Sequence, residues 1–152
     1  MPATQPALGM VDITSKPESF REAVAEGYIR LRKNTIEALR KGWREKGDLE
    51  TIASIAAILA AKKLPEIIPH THNIPLTSIK TKLEFVDDRT IRAMVIVRTH
   101  AKTGVEMEAL AAVMAALLAV WDVVKKLEKD EKGQYPETTI YGVRVLSKIK
   151  EG

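Results

Sequence analysis

Residues 79–99 read IKTKLEFVDDRTIRAMVIVRT, and this stretch decides the fold class. In its first half apolar side chains alternate with charged ones, and a second apolar run follows over residues 91–99. Alternation with a period of two is typical of a half-buried β-strand. The Asp87-Asp88 pair between the two runs is typical of a turn, so the stretch predicts an antiparallel hairpin.

A long helix and a last strand are predicted after the hairpin. Following a loop at residues 101–104, apolar residues recur at helical spacing to about residue 129. Residues 130–136 are polar and predict a loop. Residues 139–146 alternate as in a strand, and residues 147–152 are predicted to form a polar tail.

The start of the chain predicts a short helix. Ser15 is a capping residue, and Pro17 and Glu18 follow it as in a first helical turn. Gly27 ends this helix, and residues 28–31 alternate as in a short strand.

Two more helices are predicted ahead of the hairpin. Asn34 and Glu37 cap the first of them, which ends near Gly42. Asp48 caps the second, whose end Pro65 marks. Helices and strands therefore mix as in an α+β protein. We expect a ferredoxin-like sandwich in which helices cover one face of a mainly antiparallel sheet.

The composition limits the possible classes of protein. A chain of 152 residues with 45% hydrophobic and 29% charged residues forms one domain with one core and is not disordered. Lys and Arg number 24 and Asp and Glu number 20, so the formal net charge is +4, which permits a polyanionic partner without requiring one. The absence of cysteine excludes disulfides, cysteine-bound zinc and thiol nucleophiles.

The ends of the chain are predicted to be tails. Residues 1–9 carry no secretory signal and precede a single domain over residues 10–148, which residues 149–152 follow. The longest apolar run, residues 109–121, is shorter than the roughly 18 to 20 residues that span a bilayer. We therefore expect a cytoplasmic protein with no membrane partner.

The predicted long helix carries a stripe on which two ionisable residues continue an apolar face. Asp122 and Lys125 follow Ala111, Ala115 and Leu118 at spacings of three and four residues. On these residues alone we favour an ordinary surface ion pair. The alternative is a lysine general acid oriented by a carboxylate, which requires other polar groups to converge there.

The start of the same helix is a second candidate site. Thr103 and Glu106 match a capping box, which gives Glu106 a structural explanation, whereas Glu108 has none. Because residues i and i+2 of a helix point to different sides, Glu106 and Glu108 share a site only if the chain is extended there. Met107 between them is more typical of core packing.

Residues 69–75 form a stiff polar segment between the third predicted helix and the hairpin. His70 and His72 face one side if this segment is extended, but no third ligand accompanies them, so a zinc site is not predicted. Such a segment is suited to substrate recognition.

Two lysines lie near predicted helix ends. Lys46 lies near the start of a helix, where anions bind, and Lys62 lies near the end of a helix, where the helix dipole stabilises a cation.

Several of these segments occur together in one known family. They are Met10-Val11-Asp12-Ile13, Lys46-Gly47-Asp48, Ala60-Ala61-Lys62, Ile68-Pro69-x-x-His72, the run KTGVEMEAL at residues 102–110, and Asp122-x-x-Lys125. In their order and spacing they resemble the MoaC family, the cyclic pyranopterin monophosphate synthases of molybdenum cofactor biosynthesis. The resemblance covers residues 10–148.

The resemblance implies a reaction and an assembly. The substrate would be (8S)-3′,8-cyclo-7,8-dihydroguanosine 5′-triphosphate, converted into cyclic pyranopterin monophosphate with release of pyrophosphate. This lyase reaction would use no metal and no organic cofactor. Family members are hexamers built as trimers of dimers, with each active site at a subunit boundary. We therefore expect a homo-oligomer that binds a small nucleotide-derived molecule and no nucleic acid.

The resemblance also assigns residues. Asp122, Lys125 and Lys46 would be catalytic. The residues expected to contact the substrate are His70, Thr71, His72, Glu106, Met107, Glu108, Lys62 and Arg21. Lys62 and Arg21 would face the triphosphate, and Thr71 stands where the family usually has cysteine. The residues expected to converge in one pocket, partly across a subunit boundary, are Lys46, His72, Glu108, Asp122 and Lys125. A lysine among other cations can have a lowered pKa, which suits proton transfer near neutral pH.

Two non-catalytic alternatives stay open. A basic α+β module that binds RNA would stack bases on aromatic side chains of its central strands, and residues 91–97 carry none. A structural oligomer would use the same polar residues as an ion network in its interface.

Overall fold

The computed structural model describes residues 9–152, so the tail predicted over residues 1–9 lies almost entirely outside the described residues. The elements are, in chain order, β1 (Ser19–Arg30), α1 (Lys33–Arg40), α2 (Leu49–Lys62), α3 (Leu64–Ile67), β2 (Ser78–Phe85), β3 (Thr90–Ala101), α4 (Glu106–Glu128) and β4 (Thr139–Glu151).

The strands of this described part form one antiparallel sheet. Their order is β2-β3-β1-β4, with β1 and β3 in the centre. Together with the element order, this is the ferredoxin-like arrangement, and α2 and α4 pack on one face of the sheet. The predicted α+β fold class is confirmed. The predicted hairpin is confirmed as well, because Phe85 of β2 pairs with Ile91 of β3.

The core lies between this face of the sheet and the two long helices. Ala23 and Ala25 of β1 are fully buried beneath α4, as is Leu117 of α4. The backbone of β1 comes so close to α4 that a Cβ atom on Gly27 would lie 2.8 Å from Leu117 Cδ1. Small side chains on the inner side of β1 therefore set the distance between the central strand and the helix.

The short helix predicted at the start of the chain is wrong, because residues 19–27 belong to β1. The capping signature at Ser15 lies in a turn instead, in which the Lys16 N–H donates to the Ile13 carbonyl at 3.0 Å. The sequence did not indicate β1 because the inner residues of this strand are small, and the outer residue Val24 is as apolar as they are. No alternation of polarity was visible there.

The cap predicted for α1 at Asn34 is also wrong. Arg32 is the N-cap residue, and its side chain caps nothing. The Arg32 N–H donates instead to the carboxylate of Glu128, at the end of α4, with a distance of 3.0 Å to Oε2. A residue from a different element thus supplies the acceptor that a local cap usually provides.

The capping box predicted at Thr103 and Glu106 does not form. α4 begins at Glu106, and its N-cap residue Val105 makes no side-chain hydrogen bond. The cap at Asp48 is confirmed, since its carboxylate accepts from the Thr51 N–H at 3.0 Å.

Two element ends differ from the prediction. α2 ends at Lys62, and Pro65 lies in the separate short helix α3. β4 continues to Glu151, so residues expected to form a tail pair with β1, Lys148 opposite Ala23 among them. The length of β1 explains this, because its backbone groups remain available for hydrogen bonds along all twelve residues.

α4 is the one described helix long and apolar enough to cross a membrane by length and composition. The uninterrupted apolar run in the sequence, residues 109–121, is shorter than this helix of 23 residues. Half of the most apolar window of α4 is buried within the fold, and core helices of globular domains meet the same criterion. The sheet and α2 cover these buried side chains, so α4 serves as the core helix of this domain.

Candidate active site

Three of the predicted site residues meet beside the second half of α4. Asp122 Oδ1 is 3.0 Å from the Nζ of Lys125, one helical turn later. Lys46 comes from the loop between α1 and α2, and its Nζ donates to Asp122 Oδ2 at 3.1 Å and to the Asp122 main-chain oxygen at 3.0 Å. The structure thus brings together the three residues expected to be catalytic, which we call the lysine–aspartate cluster.

The loop that carries Lys46 is held on both sides of this residue. The carboxylate of Glu45 lies 2.9 Å from the Nζ of Lys126 on α4. Asp48 caps the first turn of α2. Gly47 has a φ of +121°, a conformation that glycine adopts without steric cost. These features set the direction from which Lys46 reaches α4.

Opposite charges in the lysine–aspartate cluster shift its pKa values. Hydrogen bonds from Lys125 and Lys46 lower the pKa of Asp122. The hydrogen bond to Asp122 raises the pKa of Lys125. The expected lysine with a lowered pKa is therefore not Lys125, because its carboxylate partner outweighs the neighbouring cation. The side chains of Lys125 and Asp122 are 42% and 58% exposed, so a ligand can reach them.

A second group of predicted residues lies at the N-terminal end of α4. Glu108 is only 4% exposed. Burial raises its pKa, and the charge of Glu106 raises it further, while a backbone hydrogen bond and His72 oppose the rise. A carboxyl group with a raised pKa keeps its proton closer to neutral pH, so Glu108 is suited to donating one.

The histidine segment reaches this end of α4. His72 Nε2 lies 2.7 Å from the main-chain oxygen of Val11, in the segment ahead of β1. The Thr71 hydroxyl donates to the main-chain oxygen of Ile68 at 2.7 Å and so closes a local turn. His70 is exposed. Of these three predicted contact residues, His72 is the one whose charge acts on the pKa of Glu108 and lowers it.

Basic side chains surround the start of α4. Arg21 is 6% exposed, one of its terminal nitrogens donates to the Lys102 main-chain oxygen at 3.4 Å, and its Nε has no partner within residues 9–152. Lys148 Nζ lies 3.1 Å from Glu106 Oε1. Lys148 is not among the predicted site residues because the last strand was expected to end at residue 146. The alternation of Lys148 and Lys150 around an isoleucine was the signal for a strand.

Glu106 and Glu108 both lie in the helical first turn of α4, so the extended chain that would have put them on one side is absent. They are nevertheless close enough for the charge of Glu106 to act on Glu108. Glu106 Oε2 is buried without a hydrogen-bond partner in the described part of the chain. Met107 is 45% exposed, which contradicts the expected core packing.

Lys62 is the last residue of α2 and is exposed. α2 follows directly on the loop of Lys46, which touches Asp122, and it continues into α3, which contacts α4. α2 therefore runs away from the lysine–aspartate cluster, toward the end of α4 that carries Glu108.

Within one chain the predicted site residues form two groups at opposite ends of α4. Asp122 lies fourteen positions after Glu108, and the helical rise puts them about 21 Å apart. One group is the lysine–aspartate cluster. The other, which we call the Glu108 end, contains His72, Glu106, Met107, Glu108 and Arg21.

Neither group contains a cluster of metal ligands. Within residues 9–152 no three His, Asp or Glu side chains lie close enough together to hold a metal ion. A cavity of ≈ 190 Å³ lies between α1, the start of α2 and the end of β2, and no predicted site residue lines it. The candidate site is therefore described by the two groups of predicted residues beside α4, not by this cavity.

The ferredoxin-like α+β domain thus holds two lysines on one aspartate, a set of side chains suited to acid–base chemistry. A model of the MoaC family matches residues 10–151. The chain belongs to the MoaC family.

Similar proteins carry one activity in their names. A protein of Aeropyrum pernix named "Probable cyclic pyranopterin monophosphate synthase" is 55% identical over 142 residues, which cover 93% of this chain and 97% of the relative. A protein of Sulfurisphaera tokodaii with the same name is 54% identical over 141 residues, 93% of each chain. A protein of Methanothermobacter thermautotrophicus is 52% identical over 141 residues, 93% of this chain and 88% of the relative. It is named "Probable cyclic pyranopterin monophosphate synthase accessory protein".

These comparisons confirm the family resemblance found in the sequence. The activity expected from that resemblance is the one that the names of the first two relatives state.

Proposed function

We propose that this chain is a cyclic pyranopterin monophosphate synthase, a lyase of molybdenum cofactor biosynthesis that acts in the cytoplasm. It converts (8S)-3′,8-cyclo-7,8-dihydroguanosine 5′-triphosphate into cyclic pyranopterin monophosphate and releases pyrophosphate. Membership of the MoaC family supports this proposal. The observation that carries it is the meeting of Lys46, Asp122 and Lys125.

The lysine–aspartate cluster suits the chemistry. Opening and reclosing the rings requires several proton transfers, and closing the cyclic phosphate develops negative charge on the leaving pyrophosphate. Lys46 and Lys125 supply protons and positive charge. Asp122 lies within 3.1 Å of both ammonium groups and orients them. As the family resemblance implies, the proposed reaction uses no metal and no organic cofactor.

The proposed site is composite, with the lysine–aspartate cluster from one copy and the Glu108 end from another. Glu108 and Asp122 of one chain are about 21 Å apart along a rigid helix, which is farther than one reacting ring system extends. In the composite site Glu108 and His72 exchange protons with the substrate. Arg21 and Lys62 face its triphosphate, and Arg21 has a buried nitrogen without a partner among residues 9–152.

An exposed apolar stripe on α4 supports this assembly. Met107, Met114 and Leu118 are 45%, 49% and 64% exposed and lie on the side of α4 that carries Asp122. Suppose that two α4 helices pack antiparallel about a two-fold axis beside Met114. Met107 of one copy then lies opposite Asp122 of the other, because both are about equally far from that axis. Such a dimer contains two identical composite sites.

The open face of the sheet supports further protein contacts rather than RNA binding. Three of its arginines are paired with carboxylates, since Arg92 and Arg144 each lie 2.7 Å from Glu26 and Arg98 lies 2.7 Å from Glu22. Cations engaged in this way are not available to phosphates. We propose that this face joins three dimers into the hexamer that the family resemblance implies.

The direct test is incubation of the purified chain with the cyclised nucleotide triphosphate while pterin product and pyrophosphate are measured together. Both should appear in equal amounts. Lys125→Ala should lower turnover by about 10²-fold or more, since a proton-transfer group contributes that much. Lys132→Ala is the control, because this exposed lysine lies in the loop after α4, and its turnover should stay within about threefold.

Near-normal product formation by Lys125→Ala would contradict the catalytic role of Lys125. No conversion by the unaltered chain, under conditions in which a characterised synthase consumes the substrate, would overturn the proposed function. If the chain forms no product but raises the turnover of an added synthase above that of the synthase alone, the accessory role named for the Methanothermobacter relative replaces the proposal.

Mixing two inactive variants tests the composite site separately. In a mixed dimer of Lys125→Ala and Glu108→Gln, one site carries both changes and the other carries neither. Random subunit exchange should therefore restore about a quarter of the unaltered activity. A mixture that exchanges subunits, as shown by mass spectrometry, but stays inactive would contradict the shared site.

A further inference from the structure

The segment at residues 10–14 lies across the Glu108 end of the site. The main-chain oxygen of Val11 is 2.7 Å from His72 Nε2, and the main-chain oxygen of Thr14 accepts from Lys102 Nζ at 3.1 Å. The Val11 side chain is 75% exposed, so main-chain contacts rather than apolar packing hold the segment here. We call residues 10–14 the N-terminal strap.

An Asx turn shapes the N-terminal strap. Asp12 Oδ1 accepts from the Thr14 N–H at 2.9 Å and from the Thr14 hydroxyl at 2.6 Å. Turns of this kind fix the backbone over three residues and so determine where the flanking carbonyl groups point. The turn thus controls whether the Val11 carbonyl meets His72. The MVDI segment of the sequence, to which the proposed reaction gives no role, supplies both parts of this arrangement.

The contact determines which ring nitrogen of His72 carries the proton. A main-chain carbonyl only accepts hydrogen bonds, so Nε2 must be the donor. A neutral imidazole has a single N–H, so Nδ1 then holds the free lone pair. Within residues 9–152 no hydrogen bond engages Nδ1. It is therefore the ring nitrogen that can exchange a proton with a ligand.

We propose that the N-terminal strap is a positioning element for His72, holding its proton on Nε2 and presenting Nδ1 to the substrate as a proton acceptor. This inference rests on the proposed function, in which His72 contacts the substrate. Without the Val11 carbonyl, neutral His72 divides between two tautomers and its ring turns freely. Only a fraction of the molecules then offers a lone pair in the reactive direction.

Two variants disturb the contact between the Val11 carbonyl and His72, and two matched controls keep it. Asp12→Ala breaks the Asx turn, whereas Asp12→Asn keeps an oxygen acceptor for Thr14. Deletion of residues 2–12 removes the Val11 carbonyl, whereas deletion of residues 2–9 leaves the N-terminal strap in place. Asp12 belongs to neither of the two groups on α4, so its replacement changes no proposed catalytic side chain.

The tautomer of His72 is read directly from ¹⁵N spectra of the imidazole nitrogens. The chain has three histidines, so the signals are few, and loss of one signal in His72→Gln assigns it. We expect an Nε2–H tautomer in the unaltered chain and in both controls. Asp12→Ala and the longer deletion should show a mixture of tautomers. Their kcat/KM should fall about three- to tenfold, the size of effect expected for one lost hydrogen bond.

An unchanged tautomer after the longer deletion overturns the proposal, and so does a changed tautomer with unchanged kcat/KM. The spectra need no substrate. If the unaltered chain consumes none, the proposed function fails, and the spectra alone still decide whether the N-terminal strap sets the tautomer of His72.

Discussion

Lys46 and Asp122 are 76 positions apart in the chain, yet the Nζ of Lys46 lies 3.1 Å from Oδ2 of Asp122. The other carboxylate oxygen of Asp122 binds Lys125. One carboxylate is therefore shared by two ammonium groups, and their hydrogen bonds lower its pKa. Asp122 stays ionised and is suited to orienting the two lysines, which leaves proton donation to the lysines themselves.

Asp122→Asn should change the titration of Lys125. The charged hydrogen bond that raises the pKa of Lys125 is lost, while the positive charge of Lys46 remains nearby, so this pKa should fall. NMR titration of the lysine side chains measures it, with Asp88→Asn, in the exposed turn between β2 and β3, as a control. Turnover should fall about 10²- to 10⁴-fold because both lysines lose their common partner. An unchanged pKa of Lys125 would contradict this account.

Glu108→Gln should change how stability depends on pH. Burial raises the pKa of Glu108 above 4.5, so the native state binds this proton more tightly than the unfolded chain. The stability from that proton is fully present below pH 4.5 and is lost as the pH rises through the native pKa. The free energy of unfolding of Glu108→Gln, relative to the unaltered chain, should therefore increase with pH in this window.

Urea unfolding at a series of pH values measures this difference. The exposed Glu131→Gln is the control, and its difference from the unaltered chain should not vary with pH. If the free energy of unfolding of Glu108→Gln, relative to the unaltered chain, is also independent of pH, then Glu108 has the same pKa in the native and unfolded states.

Glu128→Ala should destabilise the fold. This fully buried carboxylate accepts hydrogen bonds from the Arg32 N–H at 3.0 Å, from the Thr138 hydroxyl at 2.7 Å and from the Thr35 hydroxyl. Its removal leaves three buried donors and a cavity, so the free energy of unfolding should fall by about 2 to 4 kcal/mol. Chemical denaturation measures the loss. Glu131→Ala, on the exposed loop, should stay within about 0.5 kcal/mol, and a comparable loss there would refute the role of Glu128.

Gly27→Ala should also destabilise the fold, by overpacking. The added Cβ would lie 2.8 Å from Leu117 Cδ1, 2.9 Å from Val113 Cγ1 and 2.9 Å from Val143 Cγ2. Relieving these contacts costs about 1 to 3 kcal/mol. Gly9→Ala is the control, because nothing lies within 4 Å of its Cβ position. Equal midpoints of thermal unfolding for the two variants would mean that α4 can move away from β1.

The hairpin of β2 and β3 and the long helix α4 were predicted correctly because large apolar side chains carry their period. The helix after Asp48 was predicted from its cap and its apolar spacing, although its buried residues are the small Ala53, Ala57 and Ala61. β1 was taken for a helix because its inner residues Ala23, Ala25 and Gly27 are small. They are small because α4 packs directly on them, and in this contact Gly27 meets Leu117, which lies 90 positions later in the chain.

The candidate site divides in the same way. Spacing along one helix predicted that Asp122 and Lys125 are neighbours, and the structure confirms it. The family resemblance supplied Lys46, but nothing in the pattern of the sequence indicated that its side chain reaches Asp122. The contact between Lys148 and Glu106 was missed because the last strand was ended too early.

The sequence by itself determined the α+β class, the family and the residue types of the site, because hydrophobic period and motif spacing are properties of neighbouring positions. Tertiary structure alone decided that the site residues of one chain fall into two groups about 21 Å apart, since a continuous helix separates Glu108 from Asp122. It also decided the titration of Lys125, because a pKa depends on which charges packing brings within a few ångströms.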